Sequence, residues 1–265
     1  MKNEDLTIKV FKDNKPYDEK LTTIKHMNKL LKPPFRLSVV GFSGAGKTNI
    51  IKNFIFHFYK KYFDEFYFFL GSKDEQKLFK DLSKKHICKK RKKTKQKLEK
   101  QFFQENVDSD DDDYDEKINI ISTFDDMELH NLIDEIEEDE DAPRVLMLFD
   151  DMIFSNISNR HKLNSLDRLF MNGRHANIST IIASQKYTSL NQSSRCINCS
   201  MIILFGLNAK ELKQASEEHS NLLTPDEFIK MYKEYTKEPY SFIAINYQQN
   251  VKDRFYDSKF NKIEV

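Results

Sequence analysis

The chain has 265 residues, 39% of them hydrophobic and 12% aromatic, which is enough to bury one large core. Its 43 Lys and Arg nearly balance 42 Asp and Glu, so the net charge of +1 excludes a chain-wide basic field for nucleic acid. With three cysteines in no framework spacing, no basic-then-apolar leader and no apolar run of membrane-spanning length, we expect a soluble intracellular protein without a membrane span.

Residues 1–34 read as a lead-in to the main domain. Leu6 to Phe11 alternate apolar and polar side chains as a short strand does, and Asn14-Lys-Pro16 predicts a turn. Pro33-Pro34 ends any helix before the next strand begins. We therefore predict an N-terminal lead-in at 1–34 and one domain at 35–265.

A glycine loop follows the first strand predicted for this domain. Residues 41–48 read Gly-Phe-Ser-Gly-Ala-Gly-Lys-Thr, which fits G-x-x-x-x-G-K-[ST], and they lie between a predicted strand at 37–40 and a predicted helix at 50–58. Glycines let backbone N–H groups approach phosphate oxygens, while Lys47 reaches the β/γ-phosphates and the Thr48 hydroxyl binds Mg²⁺. The residues expected to bind a nucleoside triphosphate are Gly41, Phe42, Ser43, Gly44, Ala45, Gly46, Lys47, Thr48 and Asn49.

A charged region follows the second predicted core strand, at 66–70. Ten Lys and Arg lie between residues 84 and 100, and seven Asp and Glu lie between 108 and 116. Blocks of one sign repel themselves and usually stay solvated, so we interpret about 80–117 as a surface insertion. The alternative is that the lysine block contacts a nucleic-acid backbone.

Beyond this region, a strand at 118–122 and a helix at 127–138 are expected, followed by an apolar strand that ends in two carboxylates. Residues 145–149 are an unbroken apolar run, typical of a strand buried on both faces, and Asp150 and Asp151 follow it. The carboxyl ends of parallel strands form the ligand crevice. We therefore assign Asp150 to holding Mg²⁺ through its water shell, opposite Thr48, and Asp151 to polarising the attacking water as general base.

The strand predicted at 179–183 ends in Ser184 and Gln185. If it lies between the two strands already described, the Gln185 amide would sit beside the γ-phosphate and sense its presence. Just upstream, Arg174 is a candidate cation for stabilising transition-state charge on a neighbouring subunit. Arg168 and Arg195 are rivals for that role.

The remaining third of the chain adds further elements to the domain. A strand at 202–205, a helix at 209–219, a helix beginning at Thr224-Pro225 with Glu227 in a capping box, and a closing strand at 241–245 are predicted. The segment at about 247–265 is polar with scattered aromatics. We interpret it as an ordinary surface tail, with docking to a partner or a neighbouring subunit as the alternative.

Together these motifs resemble the FtsK–HerA superfamily, in particular its viral genome-packaging branch from poxviruses, giant viruses, virophages and polinton-like elements. The resemblance runs from about residue 30 to 207. It implies an α/β, RecA-like P-loop NTPase with a mainly parallel central sheet of the additional-strand type, flanked by helices, in which the Gln185 strand separates the other two. The motifs that carry it are Pro-Phe-Arg at 34–36, the loop at 41–48, Leu-Phe-Asp-Asp-Met at 148–152, Gly-Arg-His-Ala-Asn-Ile at 173–178 and Ala-Ser-Gln at 183–185.

The resemblance also implies a function. Members hydrolyse ATP with Mg²⁺ at a Walker A/Walker B site and pump double-stranded DNA into a capsid as a homo-oligomeric ring, a hexamer or pentamer, docked on capsid portal or vertex proteins. The expected location is the host cytoplasm, at viral assembly sites or in the virion. Cellular relatives usually have Glu after the Walker B Asp, whereas this chain has the shorter Asp151.

Two other classes of P-loop protein stay open at this point. A nucleotide-switched binding protein of the GTPase kind needs a base-reading motif resembling Asn-Lys-x-Asp, and none follows the loop. A small-molecule kinase would need substrate and lid arginines, whereas Asp151 and Gln185 fit the activation of water better.

Overall fold

An eight-stranded sheet organises the part of the chain that the structure describes. The structure is a computed structural model and describes residues 6–12, 15–24, 31–59, 62–87, 118–123, 125–140, 143–150 and 165–265. Within these ranges the strands are β1 (Leu6–Lys12), β2 (Lys15–Ile24), β3 (Arg36–Val40), β4 (Glu65–Leu70), β5 (Ile118–Ile121), β6 (Val145–Asp150), β7 (Ile178–Ser184), β8 (Met201–Leu204), β9 (Ile243–Asn246) and β10 (Phe255–Tyr256).

The helices of the same ranges connect these strands. They are α1 (Lys47–Asn53), which continues as a π-helical turn (Phe54–Phe58), α2 (Lys73–His86), α3 (Asp126–Glu138), α4 (Ser165–Asn172), α5 (Ala209–His219) and α6 (Pro225–Tyr235). A short 3-10 turn, Gly173–Ala176, precedes β7. Among the helices so described, none combines the length and the apolar character that crossing a membrane requires.

The sheet has the strand order β10-β9-β8-β3-β7-β6-β4-β5, and β1 and β2 form a separate antiparallel hairpin. The strands from β8 to β5 run parallel, whereas β9 and β10 are antiparallel additions at one edge. The strand β7 lies between β3 and β6, as the resemblance implied. This confirms the predicted fold class, a mainly parallel α/β sheet of the additional-strand type.

Two apolar layers cover the faces of this sheet because side chains alternate along each strand. Leu146 and Leu148 of β6 pack on the face covered by α1 and α2. Met147 and Phe149 of the same strand pack on the face covered by α3 to α6. With both faces covered, the central strands are apolar throughout, and only their ends are available for polar chemistry.

The helix after the glycine loop differs from its predicted bounds at both ends. It begins at Lys47, three residues early, because Gly46 adopts a left-handed conformation and starts the helix directly from the loop. It passes into a π-helical turn closed by the Tyr59 N–H donating to the Phe54 carbonyl at 2.9 Å. Phe54, Ile55 and Phe56 of this turn are all buried.

The sequence pattern predicts a surface tail from residue 247 onward, and the structure contradicts this prediction for the apolar residues of the segment. Phe255 pairs antiparallel with Ile245 of β9, and Phe255 and Phe260 are fully buried. The Phe260 ring lies 5.7 Å from that of Phe242 and 6.4 Å from that of Phe54. The scattered aromatics of this segment therefore complete the core.

The charged region lies mostly outside the described residues. Its expected start at about residue 80 falls inside α2, where Phe79 and Leu82 are buried, so the first residues belong to the core of the domain. Residues 88–117, which hold most of the lysine block and all of the acidic block, lie outside the described residues. The interpretation of these blocks stays a prediction.

Candidate nucleotide-binding site

The glycine loop lies at the carboxyl end of β3 and depends on its glycines for two different reasons. At Gly41, an added Cβ would lie 2.5 Å from the Phe205 Cβ, so only glycine permits this approach of the loop to the end of β8. Gly44 and Gly46 have φ values of +76° and +103°, a left-handed conformation that costs other residues energy. Gly44 has open space around it, so its requirement is conformational alone.

Lys47, the first residue of α1, folds back across this loop. Its Nζ donates to the carbonyl oxygens of Gly41 and Phe42, at 2.8 Å and 3.0 Å. These bonds hold the ammonium group against the start of the loop. The position is the one expected for a lysine that pairs with β/γ-phosphates.

Thr48 and Asp150 meet across the sheet although they are 102 residues apart in the chain. Thr48 Oγ1 donates to Asp150 Oδ2 at 3.3 Å. Asp150 is the last residue of β6 and is only 3% exposed. Neighbouring oxygens of an octahedral Mg²⁺ site lie about 3.0 Å apart, given metal–oxygen distances of about 2.1 Å. A hydroxyl and one carboxylate at this separation therefore fit Mg²⁺ that takes its remaining ligands from phosphates and water.

Lys52 is a charged residue of this site that sequence reasoning missed. It follows Thr48 by one helical turn and is only 7% exposed. Burial lowers the pKa of Lys52, while the carboxylates of Glu75 and Asp150 act in the opposite direction. The i, i+4 spacing from Thr48, the predicted metal ligand, is the signal that would have placed this cation near Asp150.

Gln185 follows the last residue of β7 and is exposed at the same edge of the sheet. Val40 is paired with Ser184 in the parallel register, and the Gly41 N–H donates to the Ser184 carbonyl at 3.2 Å. Gln185 thus emerges directly beside the first loop glycine, on the strand that separates β3 from β6. Its position is the one that a γ-phosphate sensor requires, and the role itself stays a prediction.

Asp151, the predicted general base, lies outside the described residues. Its role stays a prediction.

Arg174 lies far from this site within one chain. It is in the 3-10 turn before β7, whereas Gln185 follows β7, and seven strand residues span about 20 Å. The Arg174 side chain is exposed, and its Nε lies 3.4 Å from the neighbouring His175 Nε2. Arg174 therefore cannot serve its own site, which leaves a neighbouring subunit as the predicted target.

The two rival arginines are held by carboxylates. Arg168 forms ion pairs with Asp134, at 2.7 Å, and with Glu137. Arg195 pairs with Glu218 at 2.7 Å. Among the described residues, no carboxylate lies within ion-pair distance of Arg174. Of the three arginines, Arg174 is therefore the best placed to reach an anion outside its own chain.

A buried polar network fixes the chain just after Gln185, and no sequence signal pointed to it. The Tyr187 hydroxyl bonds to Glu218 and lies 2.7 Å from Nε2 of His219, whose Nδ1 bonds to the Tyr247 hydroxyl. Burial lowers the pKa of His219 to about 4. Burial alone would raise the pKa of Glu218, but hydrogen bonds from Arg195, Tyr187 and Gln214 lower it to about 2. The network therefore combines a neutral imidazole with an ionised carboxylate.

A sheet in which the Gln185 strand separates the loop strand from the Asp150 strand is the arrangement of additional-strand P-loop NTPases, and the described fold belongs to that class. A sequence profile of the family described as Poxvirus A32 protein matches residues 24–218, well over half of the chain. The chain therefore belongs to this family. The family-level resemblance to viral genome-packaging ATPases is thereby confirmed.

Solved structures give the same fold at low sequence identity. The DNA-packaging ATPase B204 of Sulfolobus turreted icosahedral virus is 16% identical, with 88% of this chain and 100% of that chain covered and a TM-score of 0.57. The genome packaging NTPase B204 of Sulfolobus turreted icosahedral virus 2, in complex with AMPPCP, is 14% identical, with 86% and 98% covered and a TM-score of 0.56. Comparison with curated proteins gives no significant match.

Proposed function

We propose that this protein is an ATP-driven motor that moves double-stranded viral DNA into a capsid. The observation that carries the proposal is the convergence of Lys47, the Thr48–Asp150 pair and Gln185 at one edge of a sheet with β7 in the centre. Membership of the Poxvirus A32 family supports a viral role for a protein with this geometry.

ATP is the proposed nucleotide, bound by residues 41–49. Solved structures with the same fold include complexes of the B204 packaging NTPase with AMPPCP and with ATP-gammaS. In this chain the left-handed Gly44 and Gly46 open the loop backbone to phosphate oxygens, and Lys47 adds a positive charge.

In the proposed mechanism each residue of the nucleotide-binding site has its own role in hydrolysis. Thr48 and Asp150 would hold Mg²⁺, which neutralises charge on the β- and γ-phosphates when bound. Lys47 stabilises the same charge, Asp151 accepts a proton from the attacking water, and Gln185 orients that water and reports whether γ-phosphate is present. Lys52, buried beside Asp150, balances the negative charge of the carboxylate.

We further propose a homo-oligomeric ring, a hexamer or pentamer, that works at a capsid portal or vertex. Arg174 supports this arrangement, because it is exposed at the sheet edge opposite the nucleotide site and would face the site of the next subunit in a head-to-tail ring. Such a ring would surround DNA and grip its phosphates without reading sequence. The proposed location is the host cytoplasm at viral assembly sites, or the virion.

The proposal is tested by measuring phosphate release from ATP by the purified chain, with and without linear double-stranded DNA. We expect DNA to raise the rate several-fold, and Lys47→Ala to abolish hydrolysis in both conditions. Transfer of phosphate to a small acceptor, with no effect of DNA, would instead identify a small-molecule kinase. Slow hydrolysis that DNA leaves unchanged would favour a nucleotide-switched binding protein and overturn the motor.

A further inference from the structure

An exposed tyrosine occupies a strained turn next to the glycine loop. The Ser241 N–H donates to the Glu238 carbonyl at 3.2 Å, closing a turn with Pro239 and Tyr240 at its centre. Tyr240 has a φ of +62°. Proline followed by a residue of positive φ is a type II turn, in which the third position favours glycine or asparagine. Tyrosine there costs conformational energy, and such strain commonly marks a functional position.

The turn places the tyrosine ring beside the loop. Because β9 is antiparallel to β8, with Ile243 paired to Leu204, the residues before β9 lie at the same edge as the loop. An ideal Cβ on Gly46 would lie 3.6 Å from Tyr240 Cδ1, which is van der Waals contact. Phe242, two residues on, is buried with its ring 5.0 Å from that of Phe205, and it anchors the turn.

Tyr240 is nevertheless 73% exposed, so its ring lies beside the loop but leaves most of its surface to solvent. A large aromatic side chain held in a strained turn without burial contributes little to the core. Its rigid position beside Gly46 therefore suits contact with a molecule that the loop binds.

The order of the strands decides which part of a nucleotide would reach Tyr240. Asp150 and Gln185, which belong with the γ-phosphate, follow β6 and β7 on one side of β3. A triphosphate whose γ end points to that side directs its nucleoside to the other side of β3, over β8 and β9. Tyr240 stands on this second side.

We infer that the Tyr240 ring stacks on the nucleobase of the nucleotide held by the glycine loop. The inference rests on the proposed function and adds the residue that recognises the base. Aromatic stacking gives affinity without choosing the base, since every base has a π-face. The tyrosine accordingly strengthens the binding of ATP and GTP alike and has no part in binding the phosphates.

The test compares ATP with inorganic tripolyphosphate, which carries the phosphates but no base, by isothermal titration of the full chain. Tyr240→Gly removes the ring and relieves the strain, so the variant folds at least as well as wild type. We expect its affinity for ATP to fall about tenfold, as for the loss of one base stack, while its affinity for tripolyphosphate is unchanged. Tyr240→Phe keeps the ring and restores ATP binding. Leu222→Ala, which removes another exposed apolar side chain, changes neither.

Two outcomes would overturn the inference and leave the ATPase intact. ATP affinity unchanged in Tyr240→Gly would show that the ring does not touch the base. An equal loss of ATP and tripolyphosphate would show that the turn shapes the loop instead. If wild type bound neither ligand, or if Lys47→Ala bound ATP as well as wild type does, the proposed function itself would fail, and this inference with it.

Discussion

The Gly41 N–H donates a hydrogen bond to the Ser184 carbonyl, with an N···O distance of 3.2 Å. The bond joins the first residue of the glycine loop to the residue directly before Gln185. The loop and the predicted sensor therefore share one rigid backbone connection, continuous with the parallel ladder of β3 and β7. The backbone at Gln185 is held beside the loop, and only its amide side chain has to respond to the nucleotide.

Gly41→Ala should destabilise the protein, because the new Cβ would lie 2.5 Å from the Phe205 Cβ and neither backbone can move easily. We expect a loss of about 1–3 kcal/mol in the free energy of unfolding, typical of overpacking. Urea denaturation measures it. Gly173→Ala is the matched control, since its Cβ would meet the nearest atom at 3.5 Å. Equal stability of the two variants would contradict the close approach.

Asp150→Ala and Lys47→Ala should each lower ATP turnover by about 100-fold or more, the usual cost of removing a charged group that stabilises the transition state. The metal role of Asp150 is separable from the role of Lys47. Only Asp150→Ala and the near-isosteric Asp150→Asn should abolish the strengthening of nucleotide binding by Mg²⁺, measured by titration with and without the ion. Asp226→Asn, at an exposed helix start, is the control. Unchanged Mg²⁺ dependence in Asp150→Asn would exclude this carboxylate as the metal ligand.

Arg174→Ala should fold and bind nucleotide normally yet lose ATP hydrolysis, because the arginine lies at the sheet edge opposite its own site. Mixing the variant with wild type should then lower the rate more steeply than the mutant fraction, since each variant subunit disables its neighbour. Arg168→Ala is the comparison, because Arg168 is held by ion pairs within its own chain. A loss strictly proportional to the mutant fraction would argue against action in trans.

Acid should weaken the fold through His219, which is buried between the hydroxyls of Tyr187 and Tyr247, beside the ion pair of Glu218 and Arg195. Burial lowers the pKa of His219 to about 4, whereas an unfolded histidine has a pKa of about 6.5. The unfolded chain therefore binds the proton first as the pH falls. The stabilisation is complete above about pH 6.5 and is lost towards pH 4, a change of about 3 kcal/mol in total.

His219→Asn removes this titration while keeping a polar side chain. The free energies of unfolding of wild type and variant, measured in urea from pH 7.5 down to pH 4.5, should therefore converge as the pH falls. Glu218 contributes little to the change in this window, because its own contribution is lost only as the pH falls below the unfolded pKa of about 4.5 towards the folded pKa of about 2. Parallel pH profiles for the two proteins would show that His219 is not held neutral by the fold.

The local sequence pattern predicts the structure correctly wherever the deciding residues are close together in the chain. The glycine loop needs specific residues within eight consecutive positions, and the helix from Ala209 to His219 has the bounds that its pattern predicts. The capping box at Thr224 and Glu227 is confirmed as well. In each case the deciding interactions join residues at most a few positions apart, so the pattern and the physics cover the same stretch of chain.

The segments whose burial the sequence predicted wrongly depend instead on contacts between residues far apart in the chain. The aromatics of 247–265 look scattered in the sequence, yet Phe260 is buried because its ring packs against Phe54 and Phe242, which lie on distant elements. The start of the charged region looks solvated, yet Phe79 and Leu82 bind α2 to the core. Composition describes a stretch of chain, whereas burial depends on what other stretches bring to it.

By itself the sequence determined the glycine loop and the buried strand that ends in a carboxylate, because both depend on consecutive residues. Only the tertiary structure decided that Thr48 meets Asp150 across 102 residues, that Arg174 faces away from its own site, and that Tyr240 lies beside Gly46. The reason is physical. The order and register of parallel strands are set by packing against helices on both faces, and no single segment carries that information.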